Sequence, residues 1–157
     1  MYAKKSLGQH FLHSDSDLSE IVRAANINDC DLVLEIGPGK GALTKKLLKV
    51  SNKIVAIEKD DELFENLKEV FKEDIDNGKL EIIHGDILEF DTNNLKTSNN
   101  LNYKIVANIP YNITGGILKK FLSAEKIPER IALLVQKEVA ERYANKFVAF
   151  RTVLEIV

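Results

Sequence analysis

The chain has 157 residues, 45% of them apolar, and a formal net charge of −2. That is one domain's length with enough apolar material for a packed core, and the charge gives no global signal for nucleic acid. No run of about eighteen apolar residues is present to span a membrane, and no apolar signal core opens the chain.

The single cysteine, Cys30, excludes an internal disulfide and fits a reducing cytoplasm. Its place beside an apolar strand makes it a small core residue rather than a nucleophile.

The elements alternate along the chain. Residues 15–26 predict an amino-terminal helix with Leu18, Ile21 and Val22 facing inward. Residues 31–36 read as a buried strand that runs into Gly37-Pro38-Gly39-Lys40-Gly41. A helix over 41–51 follows, with Leu43, Leu47 and Leu48 on one face. Residues 53–58 form a second strand. Asp60 caps a helix to Phe71 whose apolar stripe is Leu63, Phe64, Leu67, Val70 and Phe71. A third strand, 80–84, closes at Gly85-Asp86, and 92–102 is a polar loop. Then come a strand at 104–108, a helix at 114–122, a strand at 131–135, a helix at 137–144 and a final strand within 150–157.

Strands separated by helices imply parallel pairing through right-handed crossovers. The expected fold is therefore α/β, a doubly wound, mostly parallel, Rossmann-like sheet. Residues 1–29 would form an amino-terminal lid and helix, and 30–157 the sheet domain. Ligands in such sheets sit beyond the carboxyl ends of the strands. Gly37, Glu58, Asp86 and Asn108 all terminate strands.

Each of these residues has a chemical reading. Gly37 and Gly39 allow a tight turn and close approach of a cofactor to the backbone. The same Gly37-x-Gly39-x-x-Ala42 spacing also fits a dinucleotide fingerprint, so the loop alone does not separate a methyltransferase from a dehydrogenase. Glu58 offers a carboxylate to a pair of ribose hydroxyls. Asp86 can accept from an adenine amino group, although Asp after Gly is by itself commonly a turn residue. His10, His13 and His84 form no ligand cluster, so no metal is expected, and no Gly-x-Ser-x-Gly elbow is present.

Asn108-Ile109-Pro110-Tyr111 carries the most chemistry. Adenine N6 is a poor nucleophile because its lone pair is delocalised into the ring. Two acceptors, the Asn108 side chain and the Ile109 carbonyl, can hold its hydrogens and favour a pyramidal nitrogen. Pro110 fixes the direction of that carbonyl, and Tyr111 can stack on the base at about 1–3 kcal/mol. Alignment and preorganised dipoles would then carry catalysis without an early general base.

Five motifs in this order resemble the ribosomal RNA adenine N6-dimethyltransferases. They are Lys5-Ser6-Leu7-Gly8-Gln9-His10-Phe11-Leu12, residues 33–41, Gly85-Asp86, residues 108–113, and Gln136-Lys137-Glu138-Val139-Ala140-Glu141-Arg142 with its preceding valine. The first and last favour the kasugamycin-sensitivity type acting on small-subunit RNA. The erythromycin-resistance methyltransferases of large-subunit RNA are similar.

The resemblance implies S-adenosyl-L-methionine as cofactor and ribosomal RNA of the small ribosomal subunit as partner, in a cytoplasmic monomer with no metal and no membrane. It places His10, Leu12 and Gly37 at the methionine end of the cofactor, Glu58 on the ribose, Asp86 on the cofactor adenine, and Asn108 between cofactor and target base. Asn108, Pro110 and Tyr111 would be the catalytic group. The target adenosine would be splayed or in a loop, because a paired base cannot present N6 to the donor.

Family members continue for a further helical domain, which is expected to be absent here. That makes a non-catalytic RNA-binding or ribosome-assembly module the alternative reading. Residues 104–157 carry nine Lys/Arg against five Asp/Glu, and residues 1–103 thirteen against nineteen. Lys4, Lys5 and that basic carboxyl-terminal third are candidate phosphate contacts.

Overall fold

The computed structural model describes residues 14–95, 102–143, 148–150 and 153–156, and the side chains of Tyr111 and of the last two segments lie outside that description. The amino-terminal helix α1 (Asp15–Ala25) starts at a capping box. The Ser14 hydroxyl accepts the Asp17 N–H at 3.1 Å, and the Asp17 carboxylate accepts the Ser14 N–H at 3.1 Å. Two of the four orphan donors of a helix start are thus satisfied.

Seven strands build one sheet: β1 (Leu32–Ile36), β2 (Ile54–Glu58), β3 (Leu80–His84), β4 (Tyr103–Asn108), β5 (Arg130–Leu134), β6 (Val148–Phe150) and β7 (Val153–Ile156), in the order β3-β2-β1-β4-β5-β7-β6. The first five are parallel, and β7 runs antiparallel to β5 and β6. The helices between them are α2 (Ala42–Leu47), α3 (Asp61–Val70), α4 (Lys72–Asp76), α5 (Thr114–Leu122) and α6 (Lys137–Tyr143). β1 and β2 are buried along their whole length because both faces of the sheet are covered, which is why their sequences are nearly continuous apolar runs.

The faces alternate. Leu32, Leu34 and Ile36 pack with Ile105, Ile117, Phe121 and Val139 on the α5–α6 side. Val33, Ile54 and Val106 pack with Leu18, Ile21, Leu47 and Leu67 under α1, α2 and α3. Burying each such side chain contributes about 1.5–3 kcal/mol before entropy.

Two expectations are corrected. The final apolar stretch is two short strands paired in antiparallel fashion, not one continuing strand. The helix after Asp60 ends at Phe71 as expected, where the backbone leaves the helical region (φ −108°, ψ 24°), and the separate α4 follows. Cys30 is exposed, not in the core. It sits in a tight turn where its N–H donates to the Asn28 side chain at 3.0 Å, which points the chain outward just before β1.

The parallel register then fixes the site. Ile36 lies opposite Ala107, so Gly37 and Asn108 follow side by side where β1 meets β4. Ile36 also lies opposite Ile57, and Glu58 opposite His84, which brings the ends of β2 and β3 to the same edge. The chain runs outward from β1 through β2 to β3, then crosses back to β4 on the other side of β1, so a crevice opens at this switch point.

Candidate functional site

A cavity of about 480 Å³ occupies that crevice, within the range of about 300–1,000 Å³ typical of small-molecule sites. Gly37, Glu58, Asp86, Asn108 and Pro110 all line it, with Leu18, Ile57 and Ile109 as apolar wall. Five of the eight residues proposed from sequence are therefore brought together by the fold. Of the other three, His10 and Leu12 lie outside the described residues. The backbone of Tyr111 opens a short 3₁₀ turn, Tyr111–Ile113, and its side chain is outside the description.

The loop after β1 is held open. Gly37 has φ +62°, and a Cβ built on it would meet no atom within 4 Å, so its Cα face is open to the cavity while its N–H donates to the Ile57 carbonyl at 2.9 Å. Gly41, at φ +83°, is required for another reason: a Cβ there would come to 2.4 Å of the Phe71 ring. The loop is tied down by Glu58, whose Oε2 accepts the Gly39 N–H at 3.0 Å and whose Oε1 accepts the Asp60 N–H at 2.9 Å. Glu58 is only 3% exposed. Each oxygen keeps a second lone pair, which is what ribose hydroxyls would need.

Asp86 is the turn residue that sequence allowed, and it also meets a lysine. Its Oδ1 accepts the Leu88 N–H at 2.9 Å, an Asx turn. Its Oδ2 accepts from the Lys59 ammonium at 2.7 Å. The Lys59 hydrogen bond, then the Leu88 N–H, hold the Asp86 carboxyl below its ordinary range, so it is a firm acceptor at the cavity wall.

Asn108 ends β4 half-buried, and among the described residues its side-chain amide forms no hydrogen bond. Ile109 is buried behind it, and Pro110 (φ −59°, ψ 141°) turns the chain into the 3₁₀ segment.

Beneath the loop, Glu35 is fully buried and accepts the Thr44 hydroxyl at 2.7 Å. Its second oxygen has no partner. Burial pushes its carboxyl up to about 8, against the Thr44 bond, with the nearby Glu58 charge adding to the rise.

Lys59, Lys40 and Asn112 also line the cavity and were not singled out from sequence. Lys59 directly follows Glu58 at a strand end, and that adjacency was the available signal. His84 stays outside the cavity lining, stacked on Phe64 with ring centroids 4.9 Å apart and 2.8 Å from Asp61.

Lys104, counted with the basic carboxyl-terminal third, contacts no solvent phosphate path. It is 2% exposed and bound to Asp31 at 2.7 Å, at the opposite end of the sheet. Among the described residues no group of His, Cys, Asp and Glu could hold a metal, and no helix is long and apolar enough to cross a membrane.

Comparison with known proteins agrees with this architecture. A family model described as ribosomal RNA adenine dimethylase matches residues 1–152. The ribosomal RNA small subunit methyltransferase A of Dehalococcoides mccartyi is 43% identical over 144 residues, covering 92% of this chain and 48% of its own length. The chain thus spans about half the length of the curated relatives it matches. A solved dimethyladenosine transferase from Plasmodium falciparum superposes with a TM-score of 0.71 at 32% identity, covering 86% of this chain and 46% of that one. The 23S rRNA methyltransferase ErmE gives 0.72 at 28% identity, covering 87% and 52%. The sheet is therefore the Rossmann-like methyltransferase fold.

Proposed function

The chain belongs to the ribosomal RNA adenine dimethylase family, and on that premise we propose that it binds S-adenosyl-L-methionine and methylates N6 of adenosine in ribosomal RNA, small-subunit RNA first. The observation that carries the reading is the β1–β4 register. It sets Asn108, whose amide is uncommitted among the described residues, beside the open Cα face of Gly37 in one cavity.

The residues fit the cofactor. The open space over Gly37 admits a ligand against the backbone. Glu58 has acceptor capacity for hydroxyls, and Asp86 is an ionised acceptor for an amine. The cofactor, when bound, supplies a methyl group on a positively charged sulfur.

The chain's own residues position the other reactant. The Asn108 side-chain carbonyl and the Ile109 backbone carbonyl accept the two N6 hydrogens, drawing the nitrogen out of conjugation. Pro110 holds the Ile109 carbonyl in place, and Tyr111 stacks on the ring. These fixed dipoles need no reorganisation at the moment of transfer. The N6 proton leaves to solvent after transfer.

The test is incubation of this chain with undermethylated small ribosomal subunits and radiolabelled cofactor. Label should appear on adenosine N6. Asn108→Ala should lower transfer by about 10²–10³-fold, the scale for losing one preorganised polar partner, without shifting the melting temperature. RNA binding with no transfer would replace this reading with that of an assembly module.

A further inference from the structure

Asp86 has two carboxylate oxygens facing different claims. Oδ1 is committed to the Leu88 N–H at 2.9 Å. Oδ2 carries the Lys59 ammonium at 2.7 Å, which leaves it one lone pair for a ligand. Both residues line the cavity. The Lys59 side chain is 62% exposed, against 25% for Asp86. Because the side chain is largely exposed, the ammonium can leave Asp86 for water at little cost.

Resting on the functional reading above, we infer that Lys59 competes with the exocyclic amine of the cofactor's purine for Asp86 Oδ2, and so sets how strongly this pocket prefers a 6-amino over a 6-oxo purine. An amine that bonds Oδ2 shares its charge and remaining lone pair with the ammonium or displaces it, and gains a charge-assisted hydrogen bond that the ammonium weakens. A 6-oxo purine offers an acceptor. It would leave the ion pair in place and take a hydrogen from the same ammonium, which has three donors. A carboxylate alone would repel that oxygen. The lysine thus weakens binding of the amine and softens rejection of the oxo group. Lys120, whose ammonium donates to the Leu88 carbonyl at 3.1 Å, keeps positive charge near Asp86 when Lys59 is removed.

The experiment is calorimetric titration of the full chain with S-adenosyl-homocysteine and with its 6-oxo counterpart, S-inosyl-homocysteine. Lys59→Met keeps the stem and removes the ammonium. It should bind S-adenosyl-homocysteine about two- to five-fold more tightly, the range for releasing an exposed ion pair. It should bind the 6-oxo ligand more weakly, and Lys59→Arg should restore parental selectivity. Unchanged or weaker binding of S-adenosyl-homocysteine by Lys59→Met overturns the inference, because the lysine then props the carboxylate rather than competing for it. That outcome leaves the functional reading intact. Failure of the parent chain to bind S-adenosyl-homocysteine at all removes both.

Discussion

The two ends of this sheet use similar buried polar residues in opposite ways. At the amino ends of the strands every group closes on another. The Lys104 ammonium donates to Asp31 at 2.7 Å and to the Asn26 carbonyl at 2.6 Å, and Asp31 also accepts the Asn28 N–H. The Tyr103 hydroxyl donates to the Lys126 carbonyl, and Arg130 to the Ala24 carbonyl. At the carboxyl ends capacity is left over. One Glu35 oxygen and the Thr114 hydroxyl have no partner, and the Asn108 amide is uncommitted among the described residues. Asp86 is held only by a backbone N–H and an exposed lysine. A saturated network stabilises one arrangement, whereas an unsaturated one is worth its cost only where a ligand completes it.

The largest effect should come from breaking the saturated end. Lys104→Met leaves Asp31 as a buried charge without its counter-ion. The expected loss is about 3–5 kcal/mol in denaturant unfolding. Cofactor affinity per folded molecule should not change, and a parallel loss of affinity would break the contrast between the two ends. Next is Gly41→Ala, where left-handed backbone and the Phe71 ring act together. We expect about 2–4 kcal/mol of destabilisation. Here affinity should fall as well, since the loop that carries Gly37 must shift, and calorimetry on the folded variant reads this directly.

The most diagnostic effect is at Glu35. Its folded pKa of about 8 lies above the 4.5 of the free side chain, so the fold keeps a proton that the unfolded chain releases. This contribution is complete below pH 4.5 and is lost as pH rises through about 8. Glu35→Gln keeps the shape without the proton. Its melting temperature should match the parent near pH 4.5 and exceed it increasingly toward pH 8. A constant difference across that window would mean that Glu35 is already ionised in the fold.

The contrast between the ends also decides what was legible in the sequence. β1 and β2 were readable because burial on both faces leaves apolar runs with sharp ends. Gly37, Glu58, Asp86 and Asn108 were readable as the residues that end such runs. The split into β6 and β7 was not, because β6 pairs with β7, and β7 with β5, only after a reversal inside one apolar stretch. Lys104 looked like surface charge. Its burial follows from Asp31, 73 residues away, meeting it across the β1–β4 register. Lys59 stayed hidden because its partner Asp86 is 27 residues on. Glu35 stayed hidden because periodicity cannot say that a strand carboxylate is met by Thr44 on only one oxygen.

The central claim is that the ends of β1 to β4 form one cofactor-binding crevice. Backbone amide NMR of the chain titrated with S-adenosyl-L-methionine tests it most directly. Saturable shifts should concentrate at Gly37, Gly39, Glu58, Asp86 and Asn108, with Asp31 and Lys104 unmoved. No saturable shifts, or shifts centred on the Asp31–Lys104 end, would contradict it.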